Sequence, residues 1–363
     1  MSSASKTRTK SEHHHQCNTY KSSEQAKVDF EDLSKKYPEF NNAWKKVKEN
    51  RNNNSNKINN DRRSKKRSRE SFSTHVDIEF NTSLCRCIMK ERYDILLPNL
   101  VSDNERLCPA VPNRVNYIRW IRDIISFFQE DGDDESTNST KSKLHYQGID
   151  IGVGASCIYP LLLTTYEFAS NNDKECKIVG TEIDEISYKL AKANVEANQL
   201  QDRIYLLHLS TKKNPIASAL DAFDTTKSSN FNRKEFDFCM TNPPFFNEQN
   251  IAQSIPKRRD NRDRTIMTNN ESITQGGEYE FIKQMIQDSL MTRSRIRWYT
   301  SLVGHKKNLD KLEKYFNFLG FGWSNVFIAT FLQGDSHRRW GIGWTYLEAP
   351  VRYICKFYSF GSF

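Results

Sequence analysis

The sequence predicts an α/β domain built on a mostly parallel, doubly wound sheet, preceded by a helical module. Three observations point there. Short apolar runs alternate with amphipathic stretches in the order strand, helix, strand, helix, strand. The first run ends in the glycine turn Gly152-Val153-Gly154, and the second ends at the acid Glu182. The fourth ends in Asn242-Pro243-Pro244-Phe245. Ligands of such sheets gather at the carboxyl ends of the strands, and all three special features fall at such ends.

Gly148-Ile149-Asp150-Ile151 reads as a short apolar strand running into a tight turn through Ser156, with a helix-like stretch from Cys157 to about Phe168. Glycine lets a turn approach a ligand closely, but this one lacks the third glycine of a dinucleotide fingerprint and the lysine of a P-loop. Alone it is a tight strand–helix turn. Lys177 to Thr181 forms the next strand, and Glu182 at its end is placed for a ribose diol or, equally, as a helix N-terminal acid. Ile186, Leu190, Ala193 and Ala197 recur at three- and four-residue steps and predict an amphipathic helix. Ile204 to Leu209 is the third strand, and Phe236-Asp237-Phe238-Cys239-Met240 the fourth. Ile296 to Val303 and Val326 to Leu332 are expected as late strands.

Asn-Pro-Pro-aromatic after a strand suits the grip of a planar amino group. The Asn242 side-chain carbonyl and the next backbone carbonyl accept from an exocyclic NH₂, while two prolines hold the backbone and bring no competing N–H. Phe245 offers a stacking face. Read singly, the segment is also a proline-rich turn. With the glycine turn and Glu182 it points to an S-adenosylmethionine-dependent amino methyltransferase.

With these blocks in view, the chain resembles the methyltransferase-like protein 16 family of RNA N6-adenine methyltransferases, related to the bacterial ribosomal RNA enzyme RlmF. The likeness runs from about Val28 to Leu347. It rests on Leu33 to Phe40, Val111 to Trp120, Gly148 to Leu162, Asp237 to Phe246, Gly276-Gly277-Glu278, Arg297-Trp298-Tyr299, and Gln333-Gly334 with Arg339-Trp340. The resemblance implies a Rossmann-like class I methyltransferase over residues 143–350 with S-adenosylmethionine as cofactor. It implies cofactor contacts from Arg114, Gly152, Ser156, Glu182 and Asn242, and a transfer site at Asn242, Pro243, Pro244 and Phe245. Lys213 falls where the family has a cofactor-contacting threonine, so that contact is lost, shifted to Thr211 or made through backbone. Ending at Phe363, the chain is expected to lack the carboxyl-terminal RNA-binding region of vertebrate members, as a fungal-type member would. The favoured substrate is U6 small nuclear RNA. A ribosomal RNA adenine, a protein glutamine, and RNA binding without catalysis stand as alternatives.

Charge narrows the partner. Residues 1–70 carry 18 Lys and Arg against 9 Asp and Glu, which is the whole net charge of +9. The densest cluster, Arg62 to Arg69 with Lys65, Lys66 and Arg67 at its centre, fits a nuclear import signal or a phosphate-binding arm, or a solvated linker beside the Asn-rich run Asn52 to Asn60. Lys257, Arg258 and Arg259 lie in a polar stretch that either orders over RNA or is a surface loop, and Lys306, Lys307, Arg338 and Arg339 extend the expected RNA track. Trp298, Trp340 and Trp344 read as core. Residues 1–26 are expected as a disordered tail, 27–142 as the helical RNA-binding module with a disordered basic segment about 50–72, and 351–363 as a tail or edge strand. Eight cysteines without a CxxC pair predict no metal and a reducing compartment. No apolar run is long enough for a membrane. A nuclear monomer is expected, with nucleolus and cytoplasm open.

Overall fold

In the computed structural model, the described residues are 18–21, 28–58, 74–100, 108–127, 144–168, 174–211, 213–226, 231, 233–244, 276–322, 325–333 and 337–347. The strands are β1 (Asn18–Lys21), β2 (Leu144–Ile151), β3 (Lys174–Glu182), β4 (Ile204–His208), β5 (Phe236–Thr241), β6 (Ile296–Val303), β7 (Val326–Gln333) and β8 (His337–Trp344). They form one eight-stranded sheet in the order β1-β7-β8-β6-β5-β2-β3-β4. Only β8 runs antiparallel to its neighbours. The mostly parallel doubly wound sheet is therefore present, with β8 as a strand that the late-strand expectation did not include.

The helices are α1 (Phe30–Lys36), α2 (Pro38–Ile58), α3 (Thr74–Tyr93), α4 (Val111–Phe127), α5 (Ile158–Leu162), α6 (Glu185–Ala197), α7 (Pro215–Thr225), α8 (Gly277–Thr292) and α9 (Lys306–Phe318). One face of the sheet carries α4, α5 and α6, whose Val115, Ile118, Leu162 and Val195 join Phe238, Met240 and Phe331 in one core. The other carries α7, α8 and α9, where Ile216, Ile282, Ile286, Leu309 and Phe316 meet Ile149, Val179 and Trp344. Burial on both faces is what makes β5 read as a continuous apolar run. A third, smaller core joins α1, α2 and α3: Leu33, Phe40, Trp44, Val47 and Cys87, with Phe30 and Phe80 meeting edge to face at 5.7 Å. Asp29 starts α1, its carboxylate accepting from the Glu31 and Asp32 N–H groups.

Three details differ from expectation. Within the segment expected as a disordered tail, β1 pairs in parallel with β7. Tyr20 donates from its hydroxyl to Asp123 at 3.1 Å and its ring lies 5.9 Å from that of Phe331. The strand also covers what would otherwise be an open sheet edge. Helix α2 continues to Ile58 through much of the Asn-rich run, since extending a helix already anchored by Phe40, Ala43 and Val47 costs far less than starting one. The helix after the glycine turn is α5 followed by a π turn, Leu163–Glu167. Thr164 and Thr165 donate to the Pro160 and Leu161 carbonyls at 2.8 and 2.7 Å, which widens the turn. The tail or edge strand expected at 351–363, the basic cluster Arg62 to Arg69 and the stretch with Lys257, Arg258 and Arg259 lie outside the described residues.

Candidate active site

The site grows from one row of the sheet. Thr181 of β3, Ile151 of β2 and Thr241 of β5 lie side by side in register. The next residue on each chain is Glu182, Gly152 and Asn242, so the three sequence signals converge at one edge. The Thr241 hydroxyl donates to the Ile151 carbonyl at 2.8 Å, and the Gly152 and Val153 N–H groups donate to Thr181 O at 3.0 and 2.9 Å. These bonds close the strand ends before the chain turns away.

Gly152 and Gly154 have φ of 78° and 63°, backbone that favours glycine. A side-chain carbon on either would meet no atom within 4 Å. The turn therefore bends sharply while leaving open space above its backbone. Asn194 of α6 holds it from below, its amide donating to Ala155 O at 3.1 Å and its carbonyl accepting from Asn99 N at 3.2 Å. Asn198 grips Leu96 through both backbone groups, at 2.8 and 2.7 Å. These two asparagines bolt the chain between α3 and α4 to α6 and, through Ala155, to the glycine turn. Ser156 stands half-buried in the same turn.

Glu182 is buried and not a helix cap: Asp184 caps α6 by accepting from Ser187 N at 2.8 Å. Its Oε1 accepts from the Ile183 and Asp184 N–H groups at 2.8 and 2.9 Å, and its Oε2 from Gly154 N at 2.9 Å. Burial raises its pKa, against the pull of those three donors. The carboxylate is thus fixed in orientation, with acceptor capacity left on Oε2.

Arg114 comes up from α4 and is only 7% exposed. It donates to the Tyr159 hydroxyl at 2.9 Å and lies 5.3 Å from that ring's centre. Its Nε is buried without a hydrogen-bond partner among the described residues, as are Asn242 Oδ1 and both carboxylate oxygens of Asp150. Asp150, fully buried at the end of β2, is pushed up to about 8 by burial and by Glu182, against the pull of Arg114. Tyr117, one turn after Arg114, donates to Thr241 O at 3.2 Å and shares a 2.9 Å bond with the Thr300 hydroxyl, so α4 also steadies the backbone before Asn242. Sequence reasoning singled out Arg114 but not Asp150, Tyr117, Tyr159, Asn194 or Asn198. An acid within the apolar run just before the glycines was the available signal for Asp150.

Pro243 is buried and Pro244 half-buried, while Phe245, Lys65, Lys66, Arg67, Lys257, Arg258 and Arg259 lie outside the described residues. Lys306 and Lys307 are exposed at the start of α9, just past the carboxyl end of β6. Arg338 and Arg339 open β8, where they face Leu332 and Phe331 of β7 at the same edge. The four basic residues are therefore on the site's rim, not in its floor. Thr211 is exposed and accepts from Lys213 N at 3.1 Å. Trp298 and Trp344 are buried, and Trp340 is partly buried against the core. Among the described residues no cluster of His, Cys, Asp or Glu is arranged to hold a metal, and no helix is long and apolar enough to cross a membrane.

Comparison with known proteins places this arrangement. A family model described as RNA methyltransferase matches residues 8–348. The RNA N(6)-adenosine-methyltransferase mettl16 of Xenopus laevis is 37% identical over 251 residues, 68% of this chain and 41% of that protein. The U6 small nuclear RNA (adenine-(43)-N(6))-methyltransferase of Schizosaccharomyces pombe is 33% identical over 66% of this chain and 54% of its own length. The chain thus spans about half, or less, of the length of these two curated relatives. The human METTL16 catalytic domain, solved in complex with a MAT2A 3′UTR hairpin, superposes with a TM-score of 0.61 at 28% identity, covering 89% of this chain and 93% of that one. The human N-terminal domain in complex with SAH gives 0.59 at 29% identity, over 90% and 96%. The fold is that of a class I methyltransferase.

Proposed function

The chain belongs to this RNA methyltransferase family, and from that premise we propose that it transfers a methyl group from S-adenosylmethionine to N6 of an adenine in structured RNA. U6 small nuclear RNA is the favoured substrate, in keeping with the fission yeast relative, and the nucleus is the corresponding place of work. The observation that carries the reading is the convergence of unpaired buried polar atoms beside a glycine turn with open space above it. Folding pays heavily for such atoms unless a ligand completes them.

The residues fit that cofactor. The Arg114 guanidinium suits a carboxylate, the free acceptor capacity of Glu182 suits a ribose diol, and Gly152 with Ser156 leaves a backbone cradle. S-adenosylmethionine, when bound, supplies an electrophilic methyl on its sulfonium. The rest is done by the chain. Asn242 Oδ1 and the Pro243 carbonyl accept from the two N–H groups of the adenine amine, which holds its lone pair in line and enriches it. Pro244 offers no N–H to compete. No strong base is required beforehand, because the amine proton becomes acidic once nitrogen gains its fourth bond and leaves to solvent. Orientation supplies much of the rate. The target base leaves its stack to reach Asn242, with Phe245 assigned to stack on it. The rim residues Lys306, Lys307, Arg338 and Arg339, with Lys257, Arg258, Arg259 and the Lys65-Lys66-Arg67 arm, are assigned to RNA phosphates.

Incubation with labelled S-adenosylmethionine and total RNA, followed by nucleoside analysis and mapping, tests this. N6-methyladenosine in a U6-sized RNA is expected. Label in ribosomal RNA would move the substrate to that alternative, and absence of label together with absence of cofactor binding would end the enzymatic reading.

A further inference from the structure

Beyond Lys307 on the site's rim, α8 and α9 share an outer face whose chemistry the transfer reaction does not use. Both helices start at the site's edge of the sheet, tied there by Glu278. Its carboxylate accepts from the Gly304 N–H and, at 2.6 Å, from the Asn308 amide. On α9, Leu309, Leu312 and Phe316 are buried and set the inward side. At about 100° per residue, Lys307, Lys311, Lys314 and Phe318 fall on the opposite pole. Nearby Asp310 is engaged by Lys306 at 2.7 Å. The pole is therefore a cationic ridge ending in a phenylalanine that is 82% exposed.

Aromatic rings and ammonium groups alternate between this ridge and α8. Lys311 lies 5.2 Å from the Tyr279 ring, and Lys283, which also reaches Glu280 at 3.4 Å, lies 5.9 Å from Tyr279 and 5.6 Å from Tyr315. The Tyr315 ring is stacked on Phe318 with centres 6.4 Å apart, and its hydroxyl accepts from Gln287 at 3.0 Å. A solvated charged helix face has no need of this order. Lysines held over rings have less freedom to lose on meeting an anion, and an exposed stacked pair offers a π-face at the end of the row.

We propose that the α8–α9 face is a second RNA platform, taking an unpaired strand that leads away from the methylation site. Phosphates lie on Lys307, Lys311 and Lys314, and a base stacks on the exposed face of the Tyr315–Phe318 pair. Cations that track a backbone beside aromatic platforms are the physical signature of single-strand binding without sequence preference. From Lys307 to Phe318 the ridge runs roughly 16 Å along the helix, room for a short stretch of nucleotides. The proposal rests on the reading that the substrate is RNA.

The test compares a hairpin RNA with an unpaired adenosine in its loop against the same hairpin carrying an unpaired uridine tail. Wild-type chain is expected to bind the tailed RNA about tenfold tighter or better. The triple variant Lys311→Ala/Lys314→Ala/Phe318→Ala changes only exposed side chains and is checked for unchanged circular dichroism. It should bind both RNAs alike, with the affinity of wild type for the untailed one. Its salt slope on the tailed RNA should fall by about 0.7 for each lysine removed. Phe318→Trp should keep the tail's gain. A gain that survives the triple variant overturns the platform. So does a wild type indifferent to the tail, which would leave the face to a protein partner. Methylation of the untailed hairpin, followed in parallel, reports on the enzymatic reading separately.

Discussion

Two buried carboxylates sit at opposite ends of the same sheet and are treated in opposite ways. Asp237, at the amino end of β5, accepts from Gln147 N at 2.8 Å and from Arg233 at 2.6 Å, while Arg233 also donates to His145 O at 3.1 Å. Asp150, at the carboxyl end of β2, accepts from nothing among the described residues. The amino end is finished: its charges are answered by the chain itself. The carboxyl end is left incomplete, with Arg114 Nε and Asn242 Oδ1 equally unanswered. Under the proposed function, the strand end that answers its own carboxylate is the one no ligand meets, and the end that leaves these three groups unmet is the one assigned to the cofactor and the base.

The sharpest way to break that contrast is Asn242→Ala. It should lower methyl transfer by about 10²–10³-fold, the scale for losing one aimed polar group, and leave RNA affinity and thermal stability nearly unchanged. Equal loss of transfer and RNA binding would remove the role given to Asn242. At the finished end the reverse is expected. Arg233→Ala should cost about 2 kcal/mol in denaturant unfolding, less than the ~3–5 kcal/mol for a wholly buried pair because Arg233 is partly in water. Activity per folded molecule should hold.

Asp150→Asn sharpens the comparison through pH. The folded-state pKa of Asp150 is raised to about 8 from 3.8, so the folded chain binds the extra proton between those values. Stability from this group is therefore fully present below the unfolded pKa and is lost as pH rises toward and through 8. Without ligand, the melting temperature should fall by a few degrees between pH 5 and 8 in the wild type, and the Asn variant should lack that decline. Parallel curves for the two proteins would contradict it. The smallest effect is expected from Tyr117→Phe, which removes the hydroxyl between Thr241 O and Thr300. It should cost about 1 kcal/mol of stability and reduce turnover only modestly, read in one steady-state series against wild type.

Much of the site was legible because its signals are local. A glycine pair after an apolar run, an acid after the next and Asn242-Pro243 after the fourth each announce a strand end, and parallel topology brings strand ends together. What was not legible depends on distant partners. Asn194 and Asn198 look like ordinary polar positions of an amphipathic helix until Asn99 and Leu96 arrive from about a hundred residues away. Arg114 carried no signal of its own, since one arginine in a helix reads as surface, and only the family likeness singled it out. Asp150 was in plain view, yet nothing in sequence says that a strand acid goes unpaired. β1 is four residues with no pattern to read, and its pairing is decided by β7.

That last pairing bears on how the protein is made. Asn18 faces Ala329, so roughly 300 residues of chain must be synthesised between the two partners. β1 thus waits for β7 to be made before it has a place to dock, and β7 and β8 can meanwhile pair through their own short connection. The sheet is expected to close from its β7–β8 hairpin outward, with β1 as the final seam. In a refolding experiment, amide protection at Thr19 and Tyr20 should be the slowest to appear.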